Sequence, residues 1–343
     1  MKISENKDNI YKFRINTILL KTGVQINPGR INVFVGANNC GKTRLLKELY
    51  EYTIGKIGKK ILLTSLSIPV PKTWEEFSGN CHFEVLDMSE GKAIQHISPT
   101  LHTEPSLEHF GYDLVREIND LLKQSSNWDF LRQRLGGSLI TYLDTDNRLN
   151  LAKSKQANIN SNGPENLLEV LYKAESESTN KLNSYCWQIF KKKVFLSPYN
   201  LGKVELKVGG DFSDMPSDPQ DARDRLTNVS GLDEQGDGMR SAIGIIAALC
   251  AVKKPIVLLD EPEAFLHPPQ AFQLGAVIDE LIDSSQQIFI ATHSADFLRG
   301  LLSKTQDINI IHIDRAADDK ITVNVLDSIT LNHNLISSTL TTL

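Results

Sequence analysis

The octapeptide Gly36-Ala37-Asn38-Asn39-Cys40-Gly41-Lys42-Thr43 decides how the rest of the chain is read. It satisfies the spacing GxxxxGK[ST]. It stands between an apolar run, residues 31–35, and a segment in which Leu45, Leu46 and Leu49 recur at helical spacing. A strand, a glycine turn and a helix in that order surround phosphate oxygens with backbone amides and a helix N-terminus. Gly36 and Gly41 supply the turn, and Asn38, Asn39, Cys40 and Arg44 complete the wrapping segment. Lys42 reaches the β and γ phosphates, and Thr43 offers its hydroxyl to magnesium. The implied cofactors are ATP and Mg2+. Cys40 reads as a small filler, with redox sensitivity as the alternative.

A second apolar run, residues 256–259, ends at Asp260-Glu261-Pro262. Asp260 is placed to organise the magnesium shell, and Glu261 to orient or deprotonate the attacking water. A helix is expected from Pro268 or Pro269 to about Ile282, then a strand over 287–292 and a helix capped by Ser294. His293 thereby stands at a strand's carboxyl end, where ligands of open α/β sheets gather, and can act on the γ phosphate. Strand and helix alternate, so a parallel sheet with helical crossovers is predicted. Strands are also expected over 308–313 and 321–326. Upstream, Gln235-Gly236-Asp237-Gly238-Met239-Arg240 precedes an apolar helix expected over 241–252. Gly236 and Gly238 either approach a phosphate presented by another protomer or pack against their own domain.

The middle of the chain loses this alternation. The expected division is an ATPase core over 1–66, an inserted, mainly helical subdomain over 67–191, and the rest of the core over 192–343. Within the insertion, Leu107, Phe110, Leu114, Ile118, Leu121 and Leu122 predict one amphipathic helix. Two further helical stretches follow Pro164. The tetrad Asp144-Thr145-Asp146-Asn147 predicts a hairpin over 138–151, and residues 209–224 predict a loop.

The formal charge of −5 excludes a global basic field, so DNA binding would need a local patch. Lys191-Lys192-Lys193 with Arg132 and Arg134 is read either as such a patch or as a solvated face. Tyr11 and Phe13 are read as stacking on adenine or as edge-strand residues. The four cysteines form no CxxC pair and no zinc spacing, which fits a reducing cytoplasm. No run approaches the roughly 18–20 apolar residues of a membrane span, so no membrane role is expected.

Leu258-Leu259-Asp260-Glu261-Pro262-Glu263-Ala264-Phe265-Leu266-His267-Pro268, with Ile290-Ala291-Thr292-His293-Ser294-Ala295-Asp296-Phe297-Leu298, resembles the ATPase domain of the OLD (overcoming lysogenisation defect) family. This is a bacterial ABC/SMC-like group that includes phage-defence ATPases. The resemblance covers about residues 10–65 and 194–315. It implies an ABC/SMC-like P-loop ATPase fold with a mixed sheet, two protomers sandwiching ATP, and His293 as the switch histidine. It also places residues 264–267 near the dimer-facing loop. The segment 235–240 matches the family's signature position but departs from LSGGQ, with Gln235 at the serine place. The implied role is a switch in a prokaryotic antiviral or DNA-processing complex, a homodimer or larger oligomer controlling a nuclease or toxin partner. A RecF-like DNA-repair ATPase and a slowly hydrolysing scaffold are the rival readings. Such proteins often carry a Toprim nuclease domain after the ATPase core. The tail here, residues 327–343, offers one acid, Asp327, so no nuclease activity is expected of this chain alone.

Overall fold

The computed structural model describes residues 12–56, 58–79, 83–96, 107–124, 127–156, 166–173, 176–200, 203–316 and 320–326. Tyr11, Cys81, Pro164 and the tail after residue 326 lie outside the described residues.

A six-stranded sheet carries the architecture, in the order Ile321–Leu326, Ile308–Arg315, Ile31–Val35, Gln287–Thr292, Ile256–Asp260, Ile140–Leu143. All neighbours are parallel except the first pair, which is antiparallel. The fold is therefore α/β with a mixed sheet. The three strands Ile31–Val35, Ile256–Asp260 and Gln287–Thr292 are buried at every position, as strands covered on both faces must be. Their side chains alternate between two cores. Val33, Val257, Leu259, Ile288 and Ile290 face the helices Asp237–Ala251, Pro268–Leu281 and Ala295–Leu302. Phe34, Leu258, Phe289 and Ala291 face the phosphate-loop helix Lys42–Thr53 through Leu45, Leu46 and Leu49. Each such buried aliphatic side chain contributes about 1.5–3 kcal/mol relative to exposure. The helices Pro268–Leu281 and Ala295–Leu302 cross at backbone contact. A Cβ on Gly275 would lie 2.2 Å from the Phe297 oxygen, and one on Gly300 would lie 1.9 Å from the Phe272 oxygen.

Four expectations are corrected. Residues 107–122 are not one helix: Leu107–Phe110 is a strand in an antiparallel sheet with Gly91–His96 and Phe83–Met88. The helix starts only at Leu114, where Asp113 accepts from the Arg116 amide at 3.1 Å. The hairpin over 138–151 is instead the strand Ile140–Leu143, docked beside Ile256–Asp260, followed by the helix Thr145–Leu151. Asp144 caps that helix by accepting from the Asn147 amide at 2.7 Å, so the tetrad read as a turn is a helix start. The expected loop over 209–224 gives way at its end to the helix Pro219–Leu226, with Asp218 as N-cap and proline in its first turn. The apolar helix expected over 241–252 begins four residues earlier, at Asp237.

Residues 67–191 are consequently not separate from the core sheet, since Ile140–Leu143 is its edge strand. Leu167, Leu168, Leu171, Leu182 and Ile189, on the helices Leu167–Lys173 and Ser176–Phe190, join the core under Asp237–Ala251. Phe13 is buried edge-on against Trp128, 6.1 Å between centroids, which removes it from stacking on a base. Of the cations read either as a basic patch or as a solvated face, three pair with acids: Lys193 with Asp211, Arg132 with Asp129 and Arg134 with Glu108.

Candidate functional site

Register brings the chemistry to one edge of the sheet. Val35 stands opposite Thr292, and Ala291 opposite Asp260, so the phosphate loop, His293 and the acidic turn leave the sheet side by side. Gly36 turns at φ 149°, and a Cβ there would lie 2.0 Å from the Ile313 oxygen, so no other residue fits. The helix Lys42–Thr53 opens at Gly41 without a side-chain cap, leaving its first amides to an anion. Lys42 is buried, and its Nζ donates to the oxygens of Gly36 at 2.7 Å and Ala37 at 2.9 Å. The ammonium therefore sits at the centre of the loop. Cys40 is buried with its Sγ 3.8 Å from Lys42 Nζ, packed under Gly36 as filler.

Thr43 Oγ1 donates to Asp260 Oδ1 at 3.0 Å and joins the two halves of the site across 217 residues of chain. Asp260 is buried. Burial, with Glu261 and Asp144 nearby, pushes its carboxyl up to about 6, against the lowering effect of the Thr43 hydrogen bond and Arg148. Glu261 follows at φ 46°, with its amide donating to the Ala291 oxygen at 2.8 Å, and its side chain is half-buried at the mouth. His293 Nδ1 lies 3.3 Å from Glu261 Oε1 and 3.5 Å from Glu263 Oε1, neither aligned as a hydrogen bond.

Asn38, Asn39, Cys40, Gly41, Lys42, Thr43 and Arg44 line one cleft of about 970 Å³ together with Glu261 and Arg315. Arg44 is turned partly aside, its Nε donating to Glu48 Oε1 at 2.8 Å. A neighbouring, mainly apolar hollow of about 630 Å³ shares Ile61, Leu62 and Ile321 with the cleft and is lined further by Leu20, Val24, Leu45 and Val323. Gly236 and Gly238 do not line this cleft. Gly238 packs against its own chain, where a Cβ would meet the Phe265 oxygen at 2.3 Å, whereas Gly236 has open space within 4 Å.

Sequence reasoning did not single out several supporting residues. Glu263 is buried and accepts from Thr292 Oγ1 at 2.7 Å and the His293 amide at 3.2 Å, fixing the backbone that carries His293. Its place two residues after Glu261 was the available signal. Glu48 gathers the amides of Ile61, Leu62 and Leu63 and so shapes the wall of the cleft. Arg315, from the edge strand, donates to the Asn39 oxygen at 3.4 Å. Among the described residues no group of three or more His, Cys, Asp or Glu is placed to hold a metal ion. The Thr43 and Asp260 oxygens are hard donors, and a hexahydrated-type ion such as Mg2+ takes one or two protein ligands with phosphate and water completing the shell.

The phosphate loop and the parallel sheet that carries it define a P-loop ATPase fold. A family profile described as an AAA ATPase domain matches residues 102–298, more than half of the chain, and the chain belongs to that family. The match contains Asp260, Glu261 and His293, while the phosphate loop lies before it. Among solved structures, an SMC head bound to the C-winged helix domain of ScpA aligns over 91% of this chain and 97% of its own, with TM-score 0.53 and 12% identity. The SMC head domain from Thermotoga maritima aligns over 92% and 99%, with TM-score 0.44 and 12% identity. At such identity the first likeness is one of fold alone. No curated protein sequence matches the chain. No described helix is long and apolar enough to cross a membrane.

Proposed function

We propose that this cleft binds ATP with Mg2+ and hydrolyses it, and that the chain works as an ATP-controlled dimerisation switch. The hydrogen bond between Thr43 and Asp260 is the observation that carries the reading, because it assembles phosphate loop and acidic strand end before any ligand arrives. Thr43 and Asp260 would hold Mg2+, which would supply charge neutralisation at the phosphates. Lys42 exchanges the Gly36 and Ala37 oxygens for phosphate oxygens, and the apolar hollow beyond Ile61 and Leu62 suits the base. Glu261 takes a proton from water as the water oxygen bonds the γ phosphorus. The bond to the β–γ bridging oxygen breaks, and ADP and phosphate leave. His293, steadied by Glu263, senses the γ phosphate.

The open face of Gly236 at a helix N-terminus, and exposed Phe265, whose main chain packs on Gly238, support contact with a second copy. The runs around Asp260 and His293 support placing the chain with OLD-like phage-defence ATPases that govern a nuclease or toxin partner in the cytoplasm, with no nuclease activity of its own. Lys42→Ala should abolish ATP binding. Glu261→Gln should keep it, stop turnover and enrich an ATP-bound dimer in size-exclusion chromatography with light scattering. Undiminished turnover in Glu261→Gln removes that residue from its role. Plasmid cleavage by purified protein that vanishes in Asp260→Ala would contradict the non-nuclease reading.

A further inference from the structure

Arg148 is the largest fully buried side chain among the described residues, and it carries a charge. It lies on the helix Thr145–Leu151, behind the acidic turn and outside the cleft. Its guanidinium donates through Nη1 to the main-chain oxygen of Asp260 and through Nη2 to Thr145 Oγ1 at 3.3 Å. Its Nε has no hydrogen-bond partner among the described residues, and neither has the buried Oε2 of Glu263. The carboxylates of Glu263, Asp260, Asp144 and Glu261 act on it in that order of strength, opposing a burial that disfavours its charge. For packing alone, an apolar side chain of the same volume serves as well or better, because desolvating a cation costs several kcal/mol. What an apolar residue cannot do is hold the Asp260 oxygen and provide counter-charge to three carboxylates at one turn.

The helix bearing Arg148 is fastened to a second element that points elsewhere. A Cβ on Gly244 would lie 2.8 Å from the Arg148 oxygen, so this helix and Asp237–Ala251 meet backbone to backbone. Arg240 Nη2 donates to the Leu149 oxygen at 2.9 Å. Asp237–Ala251 is capped by Gly236, the open glycine proposed above to contact a second copy. Contacts thus run without interruption from Gly236 through Arg240, Leu149 and Arg148 to the backbone of Asp260.

We propose that Arg148 is a positioning residue for hydrolysis, holding the 260–263 turn from behind and making its geometry depend on where the glycine segment at the start of helix Asp237–Ala251 is seated. This rests on the ATPase reading of the cleft. Spatial continuity alone does not establish coupling, so the test must read turnover apart from binding and stability. Arg148→Met keeps volume and removes the donors, Arg148→Lys restores a charge and one donor, and Arg240→Met leaves Arg148 and its buried contacts in place. Steady-state turnover, affinity for a non-hydrolysable ATP analogue and melting temperature are measured for each. The expected result is analogue affinity within about threefold of wild type throughout, kcat down about tenfold or more in Arg148→Met, part of it regained in Arg148→Lys, and kcat down about threefold in Arg240→Met at unchanged melting temperature. Wild-type kcat per folded molecule in Arg148→Met overturns the proposal. If both Arg148 variants lose binding and stability together with turnover, wild-type kcat in Arg240→Met overturns it. A wild-type protein that binds ATP without turning it over overturns the ATPase reading and this proposal with it, whereas an active wild type with indifferent variants overturns this proposal alone.

Discussion

Serine placed at Gly238 and serine placed at Gly236 should move stability in opposite directions, although the positions are two residues apart on one helix start. At Gly238 the new Cβ would lie 2.3 Å from the Phe265 oxygen and 3.3 Å from Leu266 Cδ2, so the backbone must part by about 1 Å to reach ordinary contact. The opposing turn has little freedom to give. Phe265 already sits at φ 68°, and the amides of Ala264 and Leu266 are bonded at 2.9 Å to Glu261 and Glu263 oxygens. The cost falls in the range of core overpacking, about 1–3 kcal/mol. Unfolding entropy of about 2.1 cal/mol/K per residue gives about 0.7 kcal/mol/K for this chain, so the melting temperature should fall by about 1.5–4 °C. At Gly236 nothing lies within 4 Å, and φ −63°, ψ 154° is the extended geometry in which serine caps a helix. There the change should be zero to about +0.5 kcal/mol, a rise of less than about 1 °C. Scanning calorimetry of both variants decides the matter, and a Gly238→Ser protein that melts at or above Gly236→Ser would refute the assigned packing.

Three further outcomes are expected. Mixing Lys42→Ala with Gly236→Glu, each inactive alone, should restore part of the ATPase activity if the open glycine serves a partner's site; no recovery despite measured subunit exchange counts against contact in trans. Glu48→Gln should cost about 1–3 kcal/mol, because one amide oxygen replaces two carboxylate oxygens serving three backbone donors. Burial pushes Glu48 up, but those amides and Arg44 hold it below the usual range. The wild-type advantage is therefore complete above pH ~4.5 and fades as pH falls through the lowered value, and an advantage independent of pH would show that ionisation is not involved. Asp260→Asn should stabilise the metal-free protein at pH 7.5. The folded carboxyl is raised to about 6 from 3.8, so its protonated form favours folding below ~3.8 and that contribution is lost as pH rises through ~6. The loss amounts to about 2–3 kcal/mol, or about 3–4 °C, and a melting temperature unchanged between the two proteins at pH 7.5 would oppose it.

The sheet core was legible because strands buried on both faces are written as unbroken apolar runs, and 256–259 and 288–291 contain nothing else. The phosphate loop was legible because its glycines and lysine are dictated locally. The edge strand Ile140–Leu143 was legible only as one limb of a hairpin, since the Asp-rich tetrad beside it reads as a turn, and only pairing with Ile256–Asp260 places it in the core sheet. The same tetrad concealed Arg148, whose importance comes from where the fold buries it and not from its neighbours in sequence. Residues 107–110 misled through composition, because leucine and phenylalanine at helical spacing also fit a short strand when Gly111 and Asp113 intervene. The two readings open for Gly238 could not be parted by sequence, because the contact that explains it is made by a main-chain oxygen.

The reciprocal crossing of Gly275 and Gly300 carries a consequence for how this molecule can change over generations. Each glycine is occupied from the other helix by a carbonyl, so a methyl group added at either position separates both contacts at once. No second substitution in a side chain can compensate, because there is no side chain to shorten. The helix that follows the acidic turn and the helix that follows His293 are thus inherited as one unit.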